Sequence, residues 1–189
     1  MSSSRDAILA KIHRNRPGGP ALPDIHSVPF VTFDDKFAAF AGLIRNLGGE
    51  AIWLADGQSV ADVVAQRWPK TGRTVDLTTM PHEEAFTPHD WHDVDVAIVP
   101  GELAVAENAA VWISHPDNIF RSLYFLTEKL VMVVPKDKLV DTMRDAYGQI
   151  AIREHGFGAF ISGSSRTADI EQSLVMGAHG AMAALVIFC

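Results

Sequence analysis

Apolar positions recur along this chain at two spacings, one helical and one strand-like. Ile8, Leu9 and Ile12 share a face of a helix predicted over 4–14, with Ser3 or Ser4 placed to cap it. Pro17-Gly18-Gly19-Pro20 stops that helix and makes a linker. Residues 1–20 therefore read as an arm that docks on the body or on a partner subunit, and 21–189 as one domain. Phe33, Phe37, Phe40, Ile44 and Leu47 draw a single stripe on a second helix, whose start carries Thr32 and Asp35 at capping-box spacing and whose end is Gly48-Gly49.

A strand at 51–55, a helix at 59–68 and a strand at 73–77 follow. From 95 onward the pattern shifts to short, continuous apolar runs at 96–99, 103–114, 130–134, 159–162 and 185–188, separated by helices predicted at 137–150 and 167–176. Strands that are apolar on both faces, alternating with helices, predict an α/β fold. Its sheet is mainly parallel and flanked by helices, with an antiparallel hairpin added over 95–115.

Composition narrows the function classes. At 189 residues, 48% of them hydrophobic, the chain can bury a sizeable core without disulfides or metal. A net charge of −7 argues against nucleic-acid and anionic-membrane surfaces, both of which call for a cationic face. The one cysteine, Cys189, cannot by itself make an internal disulfide, a zinc cage or a cysteine-ligated iron–sulfur cluster, so no cofactor is expected in this chain. The first residues lack the apolar run of a signal peptide, and no apolar stretch is long enough to span a membrane, so a cytoplasmic location is expected. The histidine-rich segment 80–95, with His82, Glu83, Glu84, His89, His92 and Asp93, lies beside Pro81 and Pro88 and reads as a solvated loop, with no metal assigned.

Chemistry concentrates in the stretch Ile161-Ser162-Gly163-Ser164-Ser165-Arg166-Thr167, which the pattern places between a strand and a helix. A loop at the carboxyl end of a parallel strand, opening a helix, suits a carboxylate or phosphate. Ser164, Ser165 and Thr167 would donate, and Arg166 would clamp the anion. The plainer reading, with Thr167 as an ordinary N-cap and Asp169 and Glu171 as first-turn acids, stands beside it. Glu107 is an isolated carboxylate among Val105, Ala106, Ala109, Ala110 and Val111. Desolvation there would make it a base or nucleophile, whereas Glu107-Asn108 would equally suit a solvent-facing turn. Arg121 reads either as a second anion clamp or as a surface arginine. His179, between Gly177 and Gly180, reads either as a pocket-lining residue or, more simply, as part of a helix-ending turn.

The run Gly163-Ser164-Ser165-Arg166-Thr167-Ala168-Asp169-Ile170-Glu171-Gln172-Ser173-Leu174, followed by Gly177-Ala178-His179-Gly180, resembles the signature of the lactate-utilisation protein C family (LutC/YkgG type, LUD domain). Weaker likeness extends through Ala106-Glu107, Arg121-Ser122-Leu123 and the 130–150 region. The resemblance implies a fold similar to ribose-5-phosphate isomerases and CoA transferases. It also implies a part in bacterial oxidation of L-lactate to pyruvate beside partners that carry iron–sulfur clusters. Ser164 and Ala181 stand where that signature has proline, and Glu107-Asn108-Ala109-Ala110 replaces a Glu-Thr/Ser-Gly-Thr pattern.

The leading expectation is thus a component of L-lactate utilisation that assists an iron–sulfur complex and binds a small carboxylate or phosphate through Gly163, Ser164, Ser165, Arg166, Thr167 and Arg121. Two rivals remain: a self-contained enzyme on a phosphorylated sugar or CoA ester with Glu107 as catalyst, and a small-anion sensor. A homo-oligomer is compatible with all three.

Overall fold

The computed structural model describes residues 3–16, 18, 19, 24, 28–80, 87–114, 118–150, 157–167, 175–177 and 179–189. Its contacts fall into two units, Met1–Phe30 and Val31–Cys189. In the first, α1 (Ser4–Asn15) starts at a capping box in which the Ser3 and Asp6 side chains each accept the other's backbone N–H. Its apolar residues Ile8, Leu9 and Ile12 are exposed.

The second unit begins with α2 (Lys36–Asn46), β1 (Gly49–Trp53), α3 (Val60–Arg67), β2 (Arg73–Asp76), β3 (Val94–Pro100), β4 (Leu103–Val105) and β5 (Ala110–Ser114). It continues with α4 (Leu123–Leu126), β6 (Lys129–Val134), β7 (Leu139–Val140), α5 (Met143–Tyr147), β8 (Gly158–Ile161), β9 (Arg166–Thr167), β10 (Val175–Met176) and β11 (Ala183–Phe188). Five strands form a wholly parallel sheet in the order β1-β11-β6-β3-β2. Four more form a mixed sheet, β7-β4-β5-β8, in which only the β4–β7 pair is parallel.

Alternation along the central strands decides which layer each side chain joins. Ala97, Val99, Leu130, Met132, Val134, Ala184, Val186 and Phe188 face α2 and the second sheet, meeting Phe40, Ile44, Ala104, Val111 and Ile113 in the main core. Val96, Ile98, Val131, Leu185 and Ile187 face the other way, onto Val63 and Val64 of α3. The outer face of the second sheet, with Leu103, Val105 and Trp112, packs on Ala146 of α5. Burial on both faces is why β3, β6 and β11 read as unbroken apolar runs.

The α/β class, the parallel sheet and the 103–114 hairpin agree with the sequence reading, and the structure refines four details. The hairpin β4–β5 belongs to a second sheet, because the chain turns out of β3 at Gly101, where a Cβ would lie 2.6 Å from Val111 Cγ1 and 2.8 Å from Val134 Cγ2. The expected helix over 137–150 shrinks to α5: Leu139 and Val140 pair with Ala104 and Val105 as strand, and the Thr142–Asp145 capping box starts the helix only at Met143. The cap of α2 is Asp35, whose Oδ1 accepts the Ala38 N–H at 2.8 Å, rather than a Thr32 box. Finally, the helix expected over 167–176 does not begin at Thr167. Arg166 and Thr167 pair antiparallel with Met176 and Val175, while 168–174 lie outside the described residues. A β-branched threonine fits that extended pairing as readily as it fits an N-cap.

Among the described residues no helix is long and apolar enough to cross a membrane. No cluster of three metal-ligating side chains forms among them either; His82, Glu83 and Glu84 lie outside the described residues.

Candidate functional site

The segment after β8 is pinned on three sides. Gly163 takes a left-handed backbone, φ +71°, and a Cβ there would lie 2.6 Å from the Leu47 carbonyl oxygen. That same carbonyl, at the end of α2, accepts both the Ser164 N–H at 3.2 Å and the Ser164 hydroxyl at 3.1 Å. These bonds satisfy a buried serine and one of the helix's terminal carbonyls. Ser165 N–H donates to Ala181 O at 2.7 Å, Gly177 N–H donates to Ser165 O at 3.0 Å, and the Ser162 hydroxyl donates to Asn108 O at 2.7 Å. The loop is thus tied to α2, to the residues leading into β11 and to the β4–β5 turn.

Beside it opens a cleft of about 240 Å³. Tyr124, Phe125, Leu130, Phe160 and Ile161 form its apolar wall. Ser162, Ser164, Ser165 and His179 give the polar side, with Gly163, Gly180 and Ala181 between. Leu130 lies at the start of β6, Ala181 just ahead of β11, and Leu47 just ahead of β1. The cleft therefore sits at the amino ends of the parallel strands. The expectation of a carboxyl-end site fails because β8, which the loop does follow, pairs antiparallel with β5 in the second sheet.

A family model described as the LUD domain matches residues 59–189, which takes in the hairpin turn, the loop and the cleft. The chain belongs to the LUD-domain family. It is 28% identical over 165 residues to Lactate utilization protein C of Geobacillus kaustophilus, covering 79% of this chain and 68% of that one. With the Deinococcus radiodurans protein of the same name the identity is 27% over 155 residues, covering 78% and 73%. The match to the Oceanobacillus iheyensis protein of that name, 30% identical over 92 residues, covers 46% of this chain and 40% of that relative, well under half its length. In fold, the LUD domain here is similar to the crystal structure of a DUF162 family protein from Deinococcus radiodurans. The TM-score is 0.62 at 16% identity, over 81% of this chain and 95% of that one.

Within this LUD domain the sequence-predicted residues separate. Gly163, Ser164 and Ser165 line the cleft. Arg166 is exposed on β9, its guanidinium set against Gly48 so that a Cβ on that glycine would lie 2.7 Å from Arg166 Nη2. Thr167 is the next residue of β9. Arg121 is exposed, its guanidinium 5.6 Å from the centre of the Phe157 ring, a cation–π geometry.

Glu107 is half-buried in the β4–β5 turn. The turn itself is tied to the loop beside the cleft by the bond from the Ser162 hydroxyl to Asn108 O. The carboxylate, however, is engaged elsewhere: its Oε1 accepts the Met143 N–H at 2.6 Å, in the first turn of α5. A carboxylate held there stabilises a helix start, and the described cleft lining does not include it. Two residues on, Ala109 is fully buried with φ +53°, a backbone conformation that costs a non-glycine residue about 1–2 kcal/mol. The glycine of the family's Glu-Thr/Ser-Gly-Thr pattern suits this position for that reason.

One cleft residue escapes the sequence reading, and a second stands there between two roles. The second, His179, is exposed and lines the cleft. Tyr124, inside the run Leu-Tyr-Phe-Leu, looks like core, and it is 2% exposed. Yet its hydroxyl has no hydrogen-bond partner among the described residues. Burial, reinforced by the negative charge of Glu102, pushes its pKa up to about 12. No spacing in the sequence distinguishes such a tyrosine from a packed one.

Proposed function

We propose that this LUD-domain protein serves the oxidation of L-lactate to pyruvate as a component without a redox centre of its own. The electron pair released would pass to partner proteins that carry iron–sulfur clusters. The single cysteine of the chain is in keeping with this division of labour, since clusters of that kind are held by several thiolates. The cleft beside Ser162–Ser165 would bind the small carboxylic acid and present it to, or receive it from, the partner complex.

The observation that carries this reading is similarity across most of the chain to proteins named Lactate utilization protein C. The cleft supports it, because the polar side is built from the segment that bears the family signature. Catalysis by Glu107 has less support, given the hydrogen bond that already occupies its carboxylate. Deleting the gene in its source organism tests the proposal. Growth on L-lactate as sole carbon source should be lost while growth on pyruvate is kept. Undiminished growth on L-lactate would refute it.

A further inference from the structure

We propose that His179 and the Ser165 hydroxyl together hold the carboxylate of the acid in the cleft, and that this anchor, with its single positive charge, admits monocarboxylates such as L-lactate and turns away dianions. The inference rests on the reading of the cleft as a carboxylic-acid site. It adds the two side chains that grip the ligand, the charge class they accept and a dependence of binding on pH.

Three observations lead there. The first is which hydroxyl stays free. Of the three serines that line the cleft, Ser162 donates to Asn108 O at 2.7 Å and Ser164 to Leu47 O at 3.1 Å. Ser164 is buried, whereas Ser165 is half-buried. No hydrogen bond among the described residues engages the Ser165 hydroxyl, and it is not shut off from solvent. Its backbone is fixed by the stretch that carries His179: Ser165 N–H donates to Ala181 O at 2.7 Å, and Ser165 O accepts the Gly177 N–H at 3.0 Å. A Cβ on Gly180 would lie 3.1 Å from Ser165 Cβ and 3.4 Å from its Oγ, so the chain beside His179 runs against the serine side chain. His179 itself is exposed and lines the same cleft.

The second observation is charge. Tyr124 and His179 are the titratable side chains among the described lining residues, and no lysine or arginine joins them. Burial, reinforced by the negative charge of Glu102, lifts Tyr124 to about 12, so it stays neutral and leaves His179 to supply positive charge. The charges on adjoining segments are turned to other partners. Arg166 is set against Gly48, and Glu128, whose carbonyl oxygen accepts the Met182 and Ala183 N–H groups, pairs with Lys129 at 3.3 Å. An imidazolium and a hydroxyl offer one charge-assisted and one neutral hydrogen bond, the complement of a single carboxylate.

The apolar wall is the third. Phe125, Leu130, Phe160 and Ile161 offer no hydrogen bond through their side chains. The methyl of lactate or pyruvate meets such a wall without giving up a bond to water. A second carboxylate would be desolvated against it with no cation to pair it. The field of Glu102, felt at Tyr124, opposes a second negative charge as well.

Calorimetric titration of the full chain with L-lactate and with L-malate, which adds a second carboxylate to the same kind of 2-hydroxy acid, tests the inference in wild type, His179→Gln and Ser165→Ala. At pH 6 wild type should bind L-lactate at least tenfold more tightly than L-malate. Its affinity for L-lactate should fall at least fivefold between pH 6 and pH 8, a range over which the acid stays ionised and histidine changes charge. His179→Gln should lose at least tenfold at pH 6 and bind equally at both pH values. Ser165→Ala should lose at least threefold at pH 6 and keep the pH dependence. Neither side chain is bonded within the described residues, so both ligand-free variants should melt within about 2 °C of wild type. As a check made on wild type, NMR titration of the imidazoles should show one resonance, absent from His179→Gln, whose midpoint rises when L-lactate is added. Unchanged lactate affinity in either variant, pH-independent binding in wild type, equal affinity for L-malate, or a stationary midpoint would each overturn the inference while the cleft remains an acid site. No binding of either acid would overturn both the inference and that role of the cleft. The growth phenotype on L-lactate is read independently of all these results, so the two readings fail separately.

Discussion

Replacing Gly163 by alanine should undock the loop that forms the polar side of the cleft. The glycine sits at φ +71°, where a side chain adds about 1–2 kcal/mol of backbone strain. Its Cβ would also lie 2.6 Å from Leu47 O and 2.7 Å from Leu47 Cβ. The first is backbone, so neither contact is relieved by a side-chain rotation. Moving the loop away weakens the two bonds from Ser164 to Leu47 O, each worth about 1 kcal/mol. Against this, alanine restricts the unfolded chain and recovers about 0.4–1 kcal/mol. The balance is a loss of about 2–3 kcal/mol, which for a chain of this size lowers Tm by roughly 4–12 °C. Gly57 supplies the control: it too has positive φ, +77°, but a Cβ there meets nothing within 4 Å. Gly57→Ala should therefore cost only the strain net of that recovery, at most about 1.5 kcal/mol. Thermal and urea unfolding of both variants gives the comparison, and hydrogen exchange at the Ser164 and Ser165 amides reports whether the loop opens locally before the body unfolds. If Gly163→Ala melts with Gly57→Ala and keeps slow exchange at those amides, the docking argument is wrong.

Two further outcomes are expected. Glu107→Ala should destabilise by about 1–2 kcal/mol in urea unfolding, because the Met143 N–H loses its acceptor, while Glu107→Gln, which retains an amide oxygen, should recover at least half of that loss. In Tyr147→Phe, ultraviolet titration should show Tyr124 ionising near pH 12. A phenol whose pKa is raised in the folded state contributes stability that is fully present below pH 10 and lost as pH rises through about 12, to the extent of about 2–3 kcal/mol. Unfolding at pH 8 and pH 11 captures about half of it, because at pH 11 the native phenol is still mostly protonated, and Tyr124→Phe should flatten that dependence.

The sequence by itself determined the class of the fold and its family. Strands such as β3, β6 and β11 are apolar at every position because both faces are covered, and that pattern is local enough to read from the chain. The helix start at Ser3 is likewise written in residues three apart. The loop at 162–165 stood out through its glycine, its hydroxyls and its signature, and it does border the cleft. What tertiary structure decided is how distant segments meet. Leu139 and Val140 fit a helical stripe equally well, and only the nearby edge of β4 makes them a strand. The sheet to which β8 belongs, and with it the end of the parallel strands at which the cleft opens, depends on pairing with β5 more than forty residues away. Whether Glu107 faces a ligand or a helix start depends on where α5 lands, thirty-six residues along the chain. An unpartnered hydroxyl on Tyr124 is a property of what does not surround it. Local patterns encode which face of an element is buried; they do not encode which partner buries it, because that choice is made by the sum of contacts over the whole fold.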